Sequence, residues 1–180
     1  MLRICISGLT GSGKTTLGGL LAKELNVMHI SKELSESYKK FSKERGLLGR
    51  KALIETANTR YAKNFDREIS LLARKNNCVV STWLGPWFVK NATLRVWLNA
   101  SLKERARRKA RQNNMTLKNA LEFVKRKDSE TIESFKKIYG IDVMDHSIFD
   151  LEINTEKMNN KECVALISML SAEREGIVFK

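Results

Sequence analysis

The stretch Gly8-Leu9-Thr10-Gly11-Ser12-Gly13-Lys14-Thr15 lies near the start of the chain and fits the phosphate-binding pattern G-x-x-x-x-G-K-[ST]. The short apolar run before it, residues 2–7, predicts a buried strand. The leucines after it recur at helical spacing: Leu17, Leu20, Leu21 and Leu25. The pattern therefore lies between a strand and a helix N-terminus, where flexible glycines, inward-pointing N–H groups and the helix dipole favour a bound phosphate. This context disfavours the alternative of a merely structural glycine-rich turn.

Two side chains of this loop have their own expected chemistry. Lys14 is predicted to be catalytic and to reach the β- and γ-phosphates, and the Thr15 hydroxyl is predicted to bind Mg²⁺. The whole loop is predicted to bind ATP: Gly8, Leu9, Thr10, Gly11, Ser12, Gly13, Lys14, Thr15 and Thr16.

The composition is that of one globular domain spanning residues 1–180, with 42% hydrophobic and 29% charged residues. No apolar stretch is long enough to span a membrane, and Cys5, Cys78 and Cys163 lie far apart in apolar runs. We therefore expect a cytoplasmic protein whose cysteines are reduced core residues. The formal net charge of +13 indicates anionic partners, either nucleotides or nucleic acid.

Strand and helix patterns alternate along the chain. The predicted strands are residues 2–7, 27–30, 78–82, 93–99 and 148–154. The predicted helices follow residue 14, then cover about 31–45, 50–75, 101–112, 116–139 and 159–170, and residues 172–180 are predicted to be a loosely held tail. This alternation with short loops predicts an α/β fold of the P-loop type, a five-stranded parallel sheet flanked by helices.

Other features narrow the class of P-loop protein. The N-K-x-D pattern with which GTPases read guanine is absent, and the third strand ends in Ser81-Thr82 rather than in an acidic residue. Mg²⁺ would then be held by Thr15, phosphate oxygens and waters, since this ion keeps several waters. The basic run from Arg105 to Arg111 is typical of small-molecule kinases, which place arginines over the phosphoryl group in transfer.

The chain resembles the archaeal-type cytidylate kinases, which are nucleoside monophosphate kinases. The matching stretches are residues 6–16, 95–98 with Leu102 and the basic helix, 138–142, Asp145, 147–151 and 153–155. The resemblance implies ATP-dependent phosphorylation of CMP or dCMP to the diphosphate. It also implies a helical monophosphate-binding insertion at about 31–75 and a lid at about 105–140, whose closure would exclude water.

The chain departs from this family where the acceptor phosphate is expected to bind. Ser31-Lys32-Glu33 replaces a Ser-Ala-Gly stretch, while Trp83 and Ser134 occupy positions where the family has arginine. Cations that could compensate are Lys32, Lys39, Arg45, Arg50, Arg60 and Arg67. We predict Arg60 and Arg67 as substrate-binding residues, together with Trp83, which could stack on the acceptor base or pack against a neighbouring helix.

The lid is predicted to supply catalytic arginines. Arg105 and Arg108 match lid positions of the family, share one helix face, and are expected to close over the transferred phosphoryl group. Arg126 is a second lid candidate, and Asp142 with Asp145 is expected to order the lid by pairing with arginines. Two alternatives stay open: a kinase for another nucleotide or small acceptor, and an RNA-associated P-loop ATPase. We expect a monomer, and the charge permits nucleic acid as a partner that we do not favour.

Overall fold

The computed structural model describes residues 1–34 and 59–176, with the side chains of Glu33 and of residues 59–61 left out. Its strands are β1 (Arg3–Gly8), β2 (Met28–Ile30), β3 (Cys78–Val80), β4 (Leu94–Asn99) and β5 (Leu151–Asn154). Its helices are α1 (Lys14–Glu24), α2 (Thr59–Lys75), α3 (Gly85–Phe88), α4 (Leu102–Asn113), α5 (Leu117–Tyr139) and α6 (Asn160–Arg174), with a 3₁₀ turn at Lys32–Leu34. None of the described helices has the length and apolar character needed to cross a membrane.

The five strands form one parallel sheet in the order β2-β3-β1-β4-β5, which confirms the predicted fold class. β1 lies at the centre, and its Ile4 is in register with Val79 of β3 and Leu94 of β4. The central strands are buried on both faces because helices cover both sides, as in other parallel sheets. The phosphate loop leaves the carboxyl end of β1, the edge at which open α/β sheets bind ligands.

Two apolar clusters pack against the two faces of this sheet. One joins the sheet to α1 and α6 around Ile6, Leu21 and Ile167, and the other joins it to α2 around Phe65 and Ile69. The three cysteines are buried and free, as predicted. The sheet and its first helix thereby hold the phosphate loop on a rigid base.

A second part of the fold rests on α4 and α5, which pack through Ala106, Ala120 and Val124. Ser101 caps α4 by accepting from the Glu104 N–H at 3.3 Å, and Thr116 caps α5 by accepting from the Asn119 N–H at 3.2 Å. The Ser101 N–H donates to the Glu156 carboxylate, which connects the start of α4 to the segment after β5. These caps fix where the two predicted lid helices begin.

Several predicted elements differ from the structure. β3 ends at Val80 and not at residue 82, and β5 begins at Leu151 and not at residue 148. Residues 172–174 belong to α6, and Glu175 accepts from the Thr93 hydroxyl at 2.9 Å and pairs with the N-terminal amine at 3.3 Å, so the tail prediction was wrong for these residues. Of the helix predicted at 31–45, the described part is only the 3₁₀ turn. Much of the predicted insertion at 31–75 lies outside the described residues.

Candidate active site

The phosphate loop ends at the N-terminus of α1, which no side chain caps and whose first turn carries no acidic residue. Gly13 is the N-cap with φ 101°, a left-handed conformation that glycine adopts without strain. The N–H groups of the first turn have no partners within the helix and point toward the cleft, and the helix dipole adds positive potential there. This arrangement is suited to an anion at the end of α1.

Gly11 brings the loop against the backbone of α4. A Cβ at this glycine, whose φ is 82°, would stand 2.7 Å from the carbonyl oxygen of Arg105. A side chain of any size would therefore push α4 away from the loop. The backbone of the phosphate loop and the backbone of α4 are therefore in close contact at this glycine.

Lys14 is folded back onto its own loop. Its Nζ donates to the carbonyl oxygens of Gly8 at 2.6 Å and Leu9 at 2.9 Å, and it lies 5.0 Å from the centre of the Trp83 ring. Burial lowers the pKa of Lys14 from 10.5 to about 7, while Asp128 acts in the opposite direction. The amine thus has only neutral hydrogen-bond partners. A bound phosphate would raise its pKa and favour the charged ammonium.

Asp128 of α5 connects the loop to both lid helices. Its carboxylate accepts from the Thr10 N–H at 2.9 Å and from the Arg105 guanidinium at 2.5 Å. Arg105 also donates to the Thr10 carbonyl at 3.0 Å and to the Ala100 carbonyl at 3.1 Å. Arg105 and Asp128 are only 6% and 7% exposed, so this is a buried ion pair. Asp128 was absent from the sequence-based candidates.

Arg108 lies one turn further along α4, at the mouth of the cleft. It donates to the Thr155 hydroxyl at 2.9 Å, the Thr155 carbonyl at 2.8 Å and the Ser12 carbonyl at 3.3 Å. Glu104 pairs with its Nε at 3.2 Å. Arg108 therefore connects the loop to the segment after β5 while its side chain still borders the cleft.

A cleft of about 670 Å³ opens beside the loop. Its lining residues are Thr10, Gly11, Gly13, Lys14, Thr15, Thr16, Lys32, Phe65, Ser81, Thr82, Trp83, Arg108, Lys109, Arg111, Gln112 and Lys127. Six of these carry a positive charge, and no described residue of the lining is a carboxylate. A cleft of this charge favours a highly anionic ligand.

The predicted site residues are distributed unevenly around this cleft. Of the predicted loop residues, six line it, whereas Gly8, Leu9 and Ser12 do not. Trp83 lines it, and its ring packs 6.0 Å from that of Phe135 on α5, which is the predicted packing against a neighbouring helix.

The structure does not place the other predicted residues at the cleft. Arg67 is exposed on α2 and does not line the cleft, and the Arg60 side chain lies outside the description. Asp142 and Asp145 accept from the backbone N–H groups of Met144 and Ser147, so the prediction that they pair with arginines was wrong. Arg126 is exposed and lies 4.0 Å from Glu130 on the same helix.

The oxygen ligands beside the loop are suited to a magnesium ion that is bound mostly through phosphate and water. Thr15 is exposed to the cleft, and the hydroxyls of Ser81 and Thr82 come from the end of β3 beside it. Oxygen ligands are those that Mg²⁺ prefers. Within the described ranges, no cluster of three or more His, Cys, Asp or Glu side chains could hold a metal alone.

Comparison with known proteins identifies the family. Residues 3–157 match the family described as the cytidylate kinase-like family. A cytidylate kinase of Pyrococcus horikoshii is 31% identical over 92% of this chain and 86% of its own length, and one of Sulfurisphaera tokodaii is 34% identical over 91% and 92%. A shikimate kinase from Acinetobacter baumannii, solved with shikimate, shares the fold with a TM-score of 0.61 at 17% identity, over 97% of this chain and 95% of its own. The chain belongs to the cytidylate kinase-like family.

Proposed function

We propose that this protein transfers the γ-phosphoryl group of ATP to a nucleoside monophosphate, with CMP and dCMP as acceptors and CDP and dCDP as products. The observation that carries the proposal is the phosphate loop, whose lysine faces a cleft lined by six cations, in a chain that belongs to this family. Such a cleft can hold the triphosphate of ATP and the phosphate of the acceptor next to each other, as the reaction requires.

In the proposed reaction, an oxygen of the acceptor phosphate forms a bond to the γ-phosphorus as the bond from that phosphorus to the β,γ-bridging oxygen breaks. ADP leaves with the bridging electrons, and the acceptor oxygen needs no base because it is already anionic. The protein therefore contributes positioning and charge stabilisation. Lys14, moving from the Gly8 and Leu9 carbonyls to the β- and γ-phosphates, stabilises the charge that develops on the phosphoryl oxygens.

The two predicted lid arginines are proposed to have different roles. Arg108 borders the cleft and is proposed to contact the phosphates when the lid closes. Arg105 is held by Asp128 and two backbone carbonyls, so we assign it a positioning role on the loop, in place of the predicted contact with the phosphoryl group. Thr15 is proposed to bind Mg²⁺, which when bound neutralises phosphate charge.

The proposed acceptor is tested by a coupled assay with ATP across CMP, dCMP, UMP, AMP and GMP. We expect turnover with CMP and dCMP that exceeds turnover with the other three by at least tenfold in kcat/KM. A preference for another acceptor would identify a different kinase on the same fold. RNA-stimulated ATP hydrolysis without turnover of any acceptor would instead favour the RNA-associated ATPase.

Nucleotide binding is expected to take up a proton at Lys14. Because the pKa of Lys14 is lowered to about 7 in the free protein, the amine is mostly neutral above that pH, whereas a bound phosphate requires the ammonium. The Kd for ADP should therefore rise with pH above about 7, by up to about tenfold per pH unit. Titration calorimetry between pH 6 and 9, in buffers of different ionisation enthalpy, measures both the Kd and the proton uptake.

Lys14→Arg is the matched control for this pH dependence. An arginine stays charged throughout the range, so the Kd of this variant for ADP should be flat where that of the native protein rises. A native Kd that does not change between pH 7.5 and 9 would contradict the role assigned to Lys14.

A further inference from the structure

The cleft contains cations other than those proposed to contact ATP. Lys14 is assigned to ATP, and Arg108 already bonds Thr155, Ser12 and Glu104. Arg111 is exposed at the rim. The remaining lining cations are Lys32, Lys109 and Lys127.

An acceptor phosphate needs such cations from within the cleft. The indole of Trp83 cannot pair with a phosphate, Ser134 is buried with 3% exposure, and Arg67 does not line the cleft. A phosphate that entered a partly closed cleft without cationic partners would lose hydration that no contact replaces. The acceptor phosphate must therefore be held by groups other than those expected at these positions.

Lys32 and Lys109 reach the cleft from two different elements. Lys32 begins the 3₁₀ turn after β2, on the side where the acceptor is expected, and Lys109 lies on α4 four residues after Arg105, on the same helix face. The Nζ of Lys109 donates to the neutral Gln112 side-chain oxygen at 2.6 Å. Lys109 is therefore a cation that faces the cleft with a neutral hydrogen-bond partner.

Lys32 and Lys109 both line the cleft, and their charges act on each other. Burial lowers the pKa of Lys109 below 10.5, and the charge of Lys32 lowers it further. Lys109 in turn lowers the pKa of Lys14. Lys109 therefore experiences a like charge from Lys32 and exerts one on Lys14, and an anion bound beside Lys109 would relieve that repulsion.

We propose that Lys32 and Lys109, from two different elements of the cleft, together bind the phosphate of the acceptor nucleotide, in place of the arginines expected at positions 83 and 134. This inference rests on the proposed function and adds the residues that recognise its acceptor. Each lysine supplies a compact charge with three rotatable donors and not the rigid fork of arginine, so the pair can follow the phosphate as the lid closes.

The test measures steady-state kinetics with ATP and CMP for Lys109→Met and Lys32→Met. Each variant should raise the KM for CMP about tenfold or more, because a charge-assisted hydrogen bond is lost, and should leave the KM for ATP within about twofold. Lys109→Arg should keep most of the affinity because it keeps the charge. The matched control is Lys103→Met, which removes a lysine of the same helix that is exposed and outside the cleft lining and should change neither KM.

Calorimetric binding of CMP and of cytidine separates phosphate recognition from a general loss of the site. The Lys32→Met and Lys109→Met variants should weaken binding of CMP and leave binding of cytidine unchanged. Equal weakening of both ligands, or an unchanged KM for CMP in both variants, would overturn the inference while leaving the proposed function intact. A native protein that turns over no nucleoside monophosphate would overturn both. If Lys109→Met does not fold, Lys109→Gln and the exposed Lys32→Met carry the same test.

Discussion

Substitution of Lys14 by alanine is expected to lower kcat for phosphoryl transfer by about 10³-fold while the protein stays folded. The Lys14 ammonium is the cation of the phosphate loop itself, and the phosphoryl group develops its charge beside it in the proposed reaction. In the free protein its partners are two backbone carbonyls and an indole ring, which other groups or water can replace. Single-turnover kinetics at saturating ATP and CMP, with circular dichroism as the measure of folding, checks both halves of this expectation.

The sign of the stability effect follows from the lowered pKa of Lys14. Between about pH 7 and 10.5 the unfolded chain binds a proton at this lysine that the folded protein does not hold, so the native protein gains stability as pH rises through this window. Lys14→Ala should therefore remove that pH dependence and keep a Tm near or above the native value at pH 7. An alanine variant with native kcat would refute the mechanism, and one that is unfolded would refute the claim that Lys14 is not needed for stability.

The fold and the geometry of the phosphate loop were predictable because their signals are local in sequence. A strand, a glycine loop and a helix within 24 residues determine the phosphate loop, and the apolar runs that follow predict the remaining strands of the parallel sheet. The helix predicted over 116–139 ends as predicted, because Gly140 follows it in the left-handed conformation, with φ 68°, that ends α5. Each of these predictions depends on residues a few positions apart, whose periodicity the backbone geometry imposes.

The contacts that hold the site together were not predictable, because they join distant parts of the chain. Asp128 contacts Thr10 across 118 residues, and no spacing within α5 distinguishes it from the other charged residues of that helix. Lys32 and Lys109 likewise come from separate elements and meet only at the cleft. Arg105 and Arg108 share a helix face as predicted, yet Arg105 is buried and Arg108 borders the cleft. Charge pairing of this kind depends on tertiary packing, which composition and periodicity do not contain.

Substitution of Asp128 by alanine is expected to have the largest effect on stability, about 3–5 kcal/mol, or a fall in Tm of about 10 °C. The variant leaves the Arg105 guanidinium buried with no carboxylate to neutralise it and removes the acceptor of the Thr10 N–H. A buried charge that loses its partner keeps the whole desolvation penalty. Denaturant unfolding gives the change in free energy. The control is Glu130→Ala, a half-buried residue whose exposed partner Arg126 lies 4.0 Å away, and it should cost less than about 1 kcal/mol.

The double variant Arg105→Met with Asp128→Leu separates the two consequences of losing Asp128. Replacing both buried charges by apolar side chains should recover most of the lost stability, since a buried ion pair often gains little over good packing. The Thr10 N–H would still lack its acceptor, so the phosphate loop would be less well held and kcat should stay about tenfold below native. Recovery of both stability and kcat would show that the ion pair only fills space between α4 and α5. Recovery of stability alone is the result expected if Asp128 positions the loop for phosphoryl transfer.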